Sequence, residues 1–130
     1  MVKEAVTGIV NYGNKVLIGK KDPDREGFLK GKWHIPGETL EEGEDDKSAL
    51  VRGIKEEAGI EVVVRKFLAS HKTPTHTEVR WYECFALSYN IRPSTDLVEV
   101  KWVPKKECIN YCDKEAVAVW PKEILKYLNS

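Results

Sequence analysis

The order of helix and strand patterns along this chain predicts an α/β (α+β) fold, arranged as an α/β sandwich. Strand patterns come first, one helix pattern follows, and further strands precede a last helical region. Such an order packs helices against a sheet. The chain has 130 residues, of which 42% are hydrophobic, and this is enough to bury a core. We therefore expect a single domain over residues 1–130.

Alternating apolar residues and turn residues define the predicted elements. Gly13 and Asn14 form a tight turn between two strand patterns, which predicts a hairpin. Proline breaks helix interiors, so we expect an interruption of the last helical region at Trp120 and Pro121. Predicted strands cover residues 2–12, 15–20, 61–69, 77–89 and 98–103, and predicted helices cover about residues 45–58 and 113–128.

The first predicted helix has clear start and stop residues. Asp45 or Asp46 suits its N-terminus, because a carboxylate there accepts backbone N–H groups and complements the helix dipole. Gly59 suits its end, because glycine readily adopts the left-handed conformation. One buried stripe is predicted from apolar residues at helical spacing, namely Ala49, Leu50, Ile54 and Ala58.

Two neighbouring carboxylates lie beside this apolar stripe. Glu57 falls at its edge next to Leu50, and Glu56 lies about a quarter turn further round with Arg52 beside it. Adjacent carboxylates repel each other and are costly to bury. A bound divalent cation would offset both the repulsion and the cost of burial. Oxygen ligands favour Mg²⁺ or Mn²⁺ over zinc. The alternative is a solvated acidic face on which Arg52 pairs with Glu56.

This segment resembles the Nudix box, the motif of the Nudix (MutT-like) hydrolases. Matching positions are Glu44, Arg52, Ile54, Glu56, Glu57, Gly59 and Ile60, and Trp33-His34-Ile35-Pro36-Gly37 is similar to the usual lead-in. The resemblance implies a mixed sheet between helices. It also implies a metal-dependent hydrolase of the pyrophosphate bond in a nucleoside diphosphate linked to another group. The small size favours a nucleoside triphosphate pyrophosphohydrolase, with an ADP-ribose or nucleotide-sugar pyrophosphatase as the alternative.

The resemblance also assigns roles to residues of the box. Glu56 and Glu57 would hold Mg²⁺, or Mn²⁺, together with the backbone carbonyl of Gly37. Arg52 would orient the carboxylates. Glu44 would hold a water molecule or a backbone amide of the box.

Two positions depart from the family pattern. Glu38 stands where the box begins with glycine, and Gly53 stands where family members carry a glutamate that binds metal or activates water. A glycine inside a helix costs about 1 kcal/mol relative to alanine. We hypothesise that Glu38 restores to the metal site the carboxylate that Gly53 removes. The alternatives are a different base and a catalytically weak nucleotide-binding module.

Acids in two later strands are candidate catalytic bases. Glu83 is in phase with apolar residues of the predicted strand 77–89, and an acid on such a face needs a partner or a function. Glu99 and Asp96 lie at the next strand, where some family members carry a late catalytic acid; Glu99 is equally an ordinary edge-strand charge. Val79, Trp81, Phe85 and Leu87 share the phase of Glu83, and Tyr82, Cys84 and Ala86 form the alternative buried face.

Basic and aromatic residues outside the box are candidates for substrate binding. Lys20 and Arg25 would meet phosphates from a charged segment over residues 20–32. Phe28 would stack on a base, with core packing as the alternative. Further candidates are Trp81 and Trp120 for stacking and His71 and His76 near the expected site.

Composition limits the expected partners. Lys+Arg and Asp+Glu both number 21, so the net charge is zero, which argues against an extended nucleic-acid surface. No apolar run is long enough to cross a membrane. Three cysteines without a metal-ligand spacing are typical of a reduced, cytoplasmic protein. A small nucleotide is the expected partner, and a homodimer is one option for the oligomeric state.

Overall fold

The computed structural model of the chain describes residues 3–24, 31–94 and 97–130. The strands are β1 (Lys3–Tyr12), β2 (Lys15–Lys21), β3 (Trp33–His34), β4 (Gly37–Thr39), β5 (Val62–Lys72), β6 (Thr77–Ala86) and β7 (Leu97–Pro104). The helices are α1 (Asp46–Ala58), α2 (Cys108–Tyr111), α3 (Lys114–Ala118) and α4 (Lys122–Leu128), with a 3₁₀ turn over Lys105–Glu107 before α2.

The strands form one mixed sheet with the order β3-β2-β1-β6-β5. β1 and β6 run parallel at its centre, where Thr7 pairs with Trp81. The other strand pairs are antiparallel, including β7 with β2 and β4 with β1. Because Glu38 of β4 pairs with Val6, β4 brings Gly37 and Glu38 beside the N-terminal half of β1.

Apolar side chains cover both faces of this sheet. On one face, Leu50 and Ile54 of α1 belong to a core that includes Val6 of β1. On the other face, Ile124 of α4 belongs to a core that includes Ile9 of β1. Successive strand residues point to opposite faces, so β1 contributes to both cores. The predicted sandwich, a mixed sheet flanked by helices, is confirmed.

Element boundaries differ from prediction where pairing within the sheet decides them. β5 continues past its predicted end at residue 69 to Lys72, because its last residues pair with Val79 and Glu78 of β6. The short elements β3, β4 and α2 were not predicted, since so few residues carry no periodicity. The predicted interruption at Trp120 and Pro121 separates α3 from α4.

The face of β6 that was predicted to be buried is covered only in its first half. Val79 and Trp81 pack in the core beside α4, but Phe85 and Leu87 are 38% and 66% exposed. Cys84, on the opposite face, is buried in the core beside α1. The prediction of one apolar face was wrong because helices cover both faces of this strand, which also ends at residue 86 and not 89.

Candidate functional site

Carboxylates fix the N-terminus of α1. Asp45 caps the helix by accepting a hydrogen bond of 2.8 Å from the backbone N–H of Ser48, a typical N-cap role. Asp46 accepts two hydrogen bonds of 2.7 Å from the Arg80 guanidinium and one from the Tyr82 hydroxyl. The Arg80 guanidinium holds the pKa of Asp46 below its ordinary value. These bonds join the start of α1 to β6.

The segment before β7 fixes the other end of α1. Gly59 ends the helix in the left-handed conformation, with φ of 73°. The backbone N–H groups of Arg92 and Ser94 donate to the carbonyls of Ala58 and Glu57 at 3.0 and 3.1 Å. The last carbonyls of a helix lack partners within it, so these bonds hold the helical turn that carries Glu57.

Arg52 and Glu44 form a bidentate ion pair within the box. Nε and Nη2 of Arg52 donate to the two carboxylate oxygens of Glu44 at 2.7 and 2.9 Å. Glu44 also accepts a hydrogen bond of 2.9 Å from the backbone N–H of Glu41. The bond from Arg52, followed by that from Glu41, lowers the pKa of Glu44 to about 2. Glu44 is therefore ionised at neutral pH and holds Arg52 in place.

Glu38 and Glu56 contact the same guanidinium. Arg52 Nη1 lies 3.5 Å from Glu56 Oε1 and 3.6 Å from Glu38 Oε2. The Glu56 side chain is 49% exposed, and its pairing with Arg52 is the alternative that the sequence left open. One arginine thus links an acid of α1 to an acid of β4.

An open cavity of about 380 Å³ brings Gly37, Glu38 and Glu57 together. Glu57 reaches it from α1 and is only 6% exposed, while Gly37 and Glu38 reach it from β4. Lys21 of β2 and His34 of β3 also line the cavity. The carboxylates of Glu38 and Glu57 and the ammonium group of Lys21 therefore line one polar cavity.

Gly53, in the interior of α1, is buried against Glu38. An ideal Cβ at position 53 would lie 2.8 Å from Oε2, 2.9 Å from Cβ and 3.0 Å from Cγ of Glu38. Because these separations are too short for non-bonded heavy atoms of this kind, a larger residue at position 53 would displace Glu38. The two departures found in the box are in direct contact.

The oxygen donors at the cavity have the chemistry that Mg²⁺ requires. The carboxylates of Glu38 and Glu57 and the carbonyl of Gly37 are hard ligands of the kind this ion prefers. Within residues 3–24, 31–94 and 97–130, no group of three or more His, Cys, Asp or Glu side chains is arranged to hold a metal ion. Mg²⁺ usually keeps several waters and binds through one or two carboxylates and substrate phosphates. Two carboxylates therefore fit this ion.

The other predicted site residues do not meet at this cavity. Glu99 pairs with Lys20 between β7 and β2, with 3.5 Å from Oε2 to Nζ. Glu83 accepts a hydrogen bond of 2.6 Å from the Tyr127 hydroxyl. Among the described residues, the predicted Lys20, Glu83 and Glu99 do not line the cavity, and neither do Glu44, Arg52 and Glu56. Three predicted residues lie outside the described part of the chain, namely Arg25, Phe28 and Asp96.

A smaller pocket of about 170 Å³ adjoins the cavity and is lined by Trp81, Trp120 and His71. Trp81 Nε1 donates to His71 Nδ1 at 3.3 Å, and burial lowers the pKa of His71. A neutral ring that accepts at Nδ1 carries its proton on Nε2, which is then a donor. His76, in contrast, is exposed in the turn before β6. The cavity and the pocket share the lining residues Thr7, His34, Ile35 and Val79.

Sequence reasoning did not single out Thr7, Lys21 or His34 as cavity residues. Lys21 follows the predicted Lys20, and neighbouring strand residues point to opposite faces. Only the pairing of β2 with its neighbours shows which lysine meets the cavity. His34 lies within the lead-in that precedes Gly37, and this position was the one available signal for it.

Known proteins resemble the chain in sequence. A family model described as NUDIX domain matches residues 2–128. The CTP pyrophosphohydrolase of Escherichia coli is 33% identical over 69 residues, which cover 53% of this chain and 50% of that protein. The ADP-ribose pyrophosphatase of Methanocaldococcus jannaschii is 37% identical over 70 residues, which cover 54% of this chain and 40% of that protein. The chain thus matches half of these curated relatives' length or less.

A solved structure resembles the chain over nearly its whole length. The crystal structure of a NUDIX hydrolase from Nitrosomonas europaea has a TM-score of 0.82 and 24% sequence identity, and the match covers 98% of this chain and 70% of that chain. At this level of identity the likeness concerns the fold, and it agrees with the mixed sheet and flanking helices described above.

Proposed function

Because the chain belongs to the Nudix family, we propose that it is a metal-dependent hydrolase of a pyrophosphate bond in a nucleoside diphosphate linked to another group. The observation that carries this proposal is the meeting of the buried Glu57 carboxylate with Gly37 and Glu38 in one open cavity. Such a cavity admits a divalent ion together with the phosphates whose charge the ion neutralises.

Glu57 and the carbonyl of Gly37 would hold the Mg²⁺ ion, or Mn²⁺ in its place. Glu56 would join them from the surface of α1. When bound, such an ion neutralises phosphate oxygens and lowers the pKa of water. The chain's own contribution is to fix these oxygen donors before the substrate arrives, since phosphoryl transfer depends mainly on positioning and charge stabilisation.

Arg52 and Lys21 supply the positive charge of the site. Arg52, held by Glu44, positions the carboxylates of Glu38 and Glu56. Lys21 lines the cavity, and its ammonium group would contact phosphate oxygens of the substrate. The two cations limit repulsion between acidic side chains and an anionic nucleotide.

We propose a nucleoside triphosphate as the substrate. Water attacks one phosphorus atom, the bond from that phosphorus to the bridging oxygen breaks, and a nucleoside monophosphate and pyrophosphate leave. The aromatic pocket beside the cavity supports a base-containing substrate, because the half-buried Trp120 offers apolar ring surface, whereas Trp81 is buried in the core. Similarity to an ADP-ribose pyrophosphatase favours ADP-ribose or a nucleotide sugar as the alternative.

A nucleotide-binding module with weak or no turnover is the second candidate function. Gly53 favours it, because the corresponding residue of family members is a glutamate that binds metal or activates water. The contact between Glu38 and Gly53 favours the enzyme instead, because a carboxylate occupies the space beside position 53.

Turnover of a nucleotide panel tests the proposed function. The purified chain is incubated with nucleoside triphosphates, ADP-ribose, nucleotide sugars and dinucleoside polyphosphates, with and without Mg²⁺, and phosphate and pyrophosphate release are measured. We expect Mg²⁺-dependent pyrophosphate release from at least one triphosphate. Glu57→Gln should abolish it, whereas the exposed-site control Glu42→Gln should not. Nucleotide binding without turnover of any compound would favour the module.

The cellular location and the oligomeric state stay predictions. The three cysteines are buried thiols without a disulfide, which supports a reducing compartment such as the cytoplasm. No helix in the described parts of the chain is both long and apolar enough to cross a membrane. Light scattering of the purified chain would decide between a monomer and a homodimer.

A further inference from the structure

Gly53 occupies a helical position where backbone geometry does not require glycine. It lies in the interior of α1, and it is not one of the described glycines with a positive φ. Glycine in a helix interior loses more backbone freedom on folding than any other residue. Some other feature of the structure must therefore favour glycine at this position.

That feature is the lack of room for a side chain at position 53, because Glu38 fills the adjacent space. Three atoms of the Glu38 side chain, Cβ, Cγ and Oε2, lie within 3.0 Å of the place where a Cβ at position 53 would stand. A flexible carboxylate could turn away from an added methyl group, but Glu38 Cβ is fixed by β4, which pairs with β1. A side chain at position 53 and the present Glu38 conformation exclude each other.

We infer that Glu38 supplies to the divalent ion the carboxylate that position 53 lacks. This role of Glu38 requires glycine at position 53, because a larger residue there would displace the Glu38 side chain. The inference rests on the proposed function, because that function provides the ion. Glu38 enters from β4 and lines the same cavity as Glu57. The carboxylate thus reaches the site from a strand instead of from the helix.

Two contacts orient the Glu38 carboxylate, one from α1 and one from β4 itself. Its Oε2 lies 3.6 Å from Arg52 Nη1, and its Oε1 accepts a hydrogen bond of 3.2 Å from the backbone N–H of Thr39. The Arg52 guanidinium, which Glu44 holds in place, thus also positions the Glu38 carboxylate.

Metal affinity of exchange variants tests the inference directly. Mn²⁺ is titrated into the full chain and its free fraction is followed by electron paramagnetic resonance. We expect Glu38→Gln to weaken Mn²⁺ binding by about tenfold or more, as loss of a group at a metal site does. Gly53→Glu alone should also weaken it by displacing Glu38. Glu38→Gly combined with Gly53→Glu should bind more tightly than either single variant.

The control Glu41→Gln separates this role from a general effect of charge. Glu41 also contacts Arg52, at 3.7 Å, but is exposed and does not line the cavity. Its removal should leave Mn²⁺ affinity unchanged. If Glu41→Gln weakens binding as much as Glu38→Gln, or if Glu38→Gln has no effect, the inference is overturned.

Thermal stability provides a readout that needs no metal. Gly53→Ala should lower Tm in the wild-type chain, because its methyl group meets Glu38. The same change should raise Tm in the Glu38→Gly background, where alanine is simply the better helix former. A rise in Tm in both backgrounds would contradict the mutual exclusion of the two side chains.

Nucleotide turnover by the same variants separates the inference from the proposed function. If the wild-type chain hydrolyses a nucleotide and Glu38→Gln matches it in Mn²⁺ affinity and turnover, the inference fails and the function stands. If the wild-type chain binds Mn²⁺ through Glu38 but hydrolyses no member of the panel, the function fails and the inference stands.

Discussion

At the scale of single residues, Arg52 organises the acidic side of the box. Bidentate arginine–carboxylate pairs are strong and specific in geometry, and the pair with Glu44 fixes the guanidinium. The low pKa of Glu44 makes it a positioning residue and not a group that exchanges protons at neutral pH. In the described part of the chain, the carboxylates within 4 Å of Arg52 are Glu38, Glu41, Glu44 and Glu56.

The ion pair between Glu44 and Arg52 makes the free energy of unfolding depend on pH in the acid range. The pKa of Glu44 is about 2 in the folded chain against an ordinary value of 4.5, so the unfolded chain binds this proton more tightly. The resulting stabilisation is present above the ordinary pKa and is lost as pH falls towards the folded pKa. We predict that Glu44→Gln reduces the pH dependence of urea unfolding between about pH 2 and pH 5. Glu42→Gln should retain it, and an unchanged slope in Glu44→Gln would argue against the pairing.

Trp120 provides a residue-scale test of the nucleobase pocket. Stacking on an aromatic side chain contributes about 1–3 kcal/mol per base, which corresponds to about 5- to 150-fold in affinity. We predict that Trp120→Leu raises KM for the nucleotide by a factor in this range and changes kcat little. Tyr111→Leu, at an exposed aromatic residue, is the control. Equal KM values for Trp120→Leu and the wild-type chain would place the base elsewhere.

At the scale of elements, α1 is held to the sheet at both ends, and this fixes the site. The Asp46–Arg80 pair secures its start, and the backbone of Arg92 and Ser94 secures its end. Between these points the helix carries Arg52 and the buried Glu57. Loosening either end would allow the carboxylates to move relative to β4.

Asp46→Asn tests the first of these attachments. Hydrogen bonds to charged groups contribute about 1.5–3 kcal/mol, and Asp46 accepts two from Arg80. We predict a fall of that order in the free energy of unfolding, measured by urea denaturation, with reduced turnover under native conditions. The neighbouring exposed-site variant Lys47→Met should change neither. A wild-type unfolding curve for Asp46→Asn would show that the attachment is dispensable.

The long elements were predicted well from the sequence, because the spacing of their apolar residues matches the face that each element buries. The helix from Asp46 to Ala58 followed from cap, stripe and stop residues. The sequence suggested a compensating role of Glu38 for Gly53, but not that the two residues are in contact. β4, which carries Glu38, was not predicted, because three residues form a strand only by pairing with β1. The place of Lys21 in the cavity likewise depends on sheet pairing, which local patterns do not encode.

At the scale of the whole molecule, the sheet separates two cores, and α4 closes the one remote from α1. Tyr127 of α4 joins the layers through polar bonds. Its hydroxyl donates to Glu83 Oε2 at 2.6 Å and accepts from Asn11 Nδ2 at 3.1 Å. Glu83 therefore has a structural partner that accounts for an acid in a mainly apolar strand.

Tyr127→Phe distinguishes this structural role of Glu83 from a catalytic one. Losing the hydroxyl removes the hydrogen bond to the partly buried Glu83 carboxylate, at a cost of about 1–3 kcal/mol. We predict that the free energy of unfolding, measured by urea denaturation, falls by this amount. The kcat and KM of the protein that stays folded should be unchanged. Loss of turnover without loss of stability would instead assign Glu83 to the reaction.

Paramagnetic NMR of the Mn²⁺-loaded chain tests most directly whether the cavity of Gly37, Glu38 and Glu57 seats a divalent ion. The ¹⁵N-labelled wild-type chain is titrated with Mn²⁺, alone and with a nucleoside triphosphate analogue that resists hydrolysis. We predict that the amide signals of these three residues broaden first, ahead of those around Glu83 and Glu99. Broadening centred elsewhere, or no ion uptake even with the nucleotide present, would contradict the site.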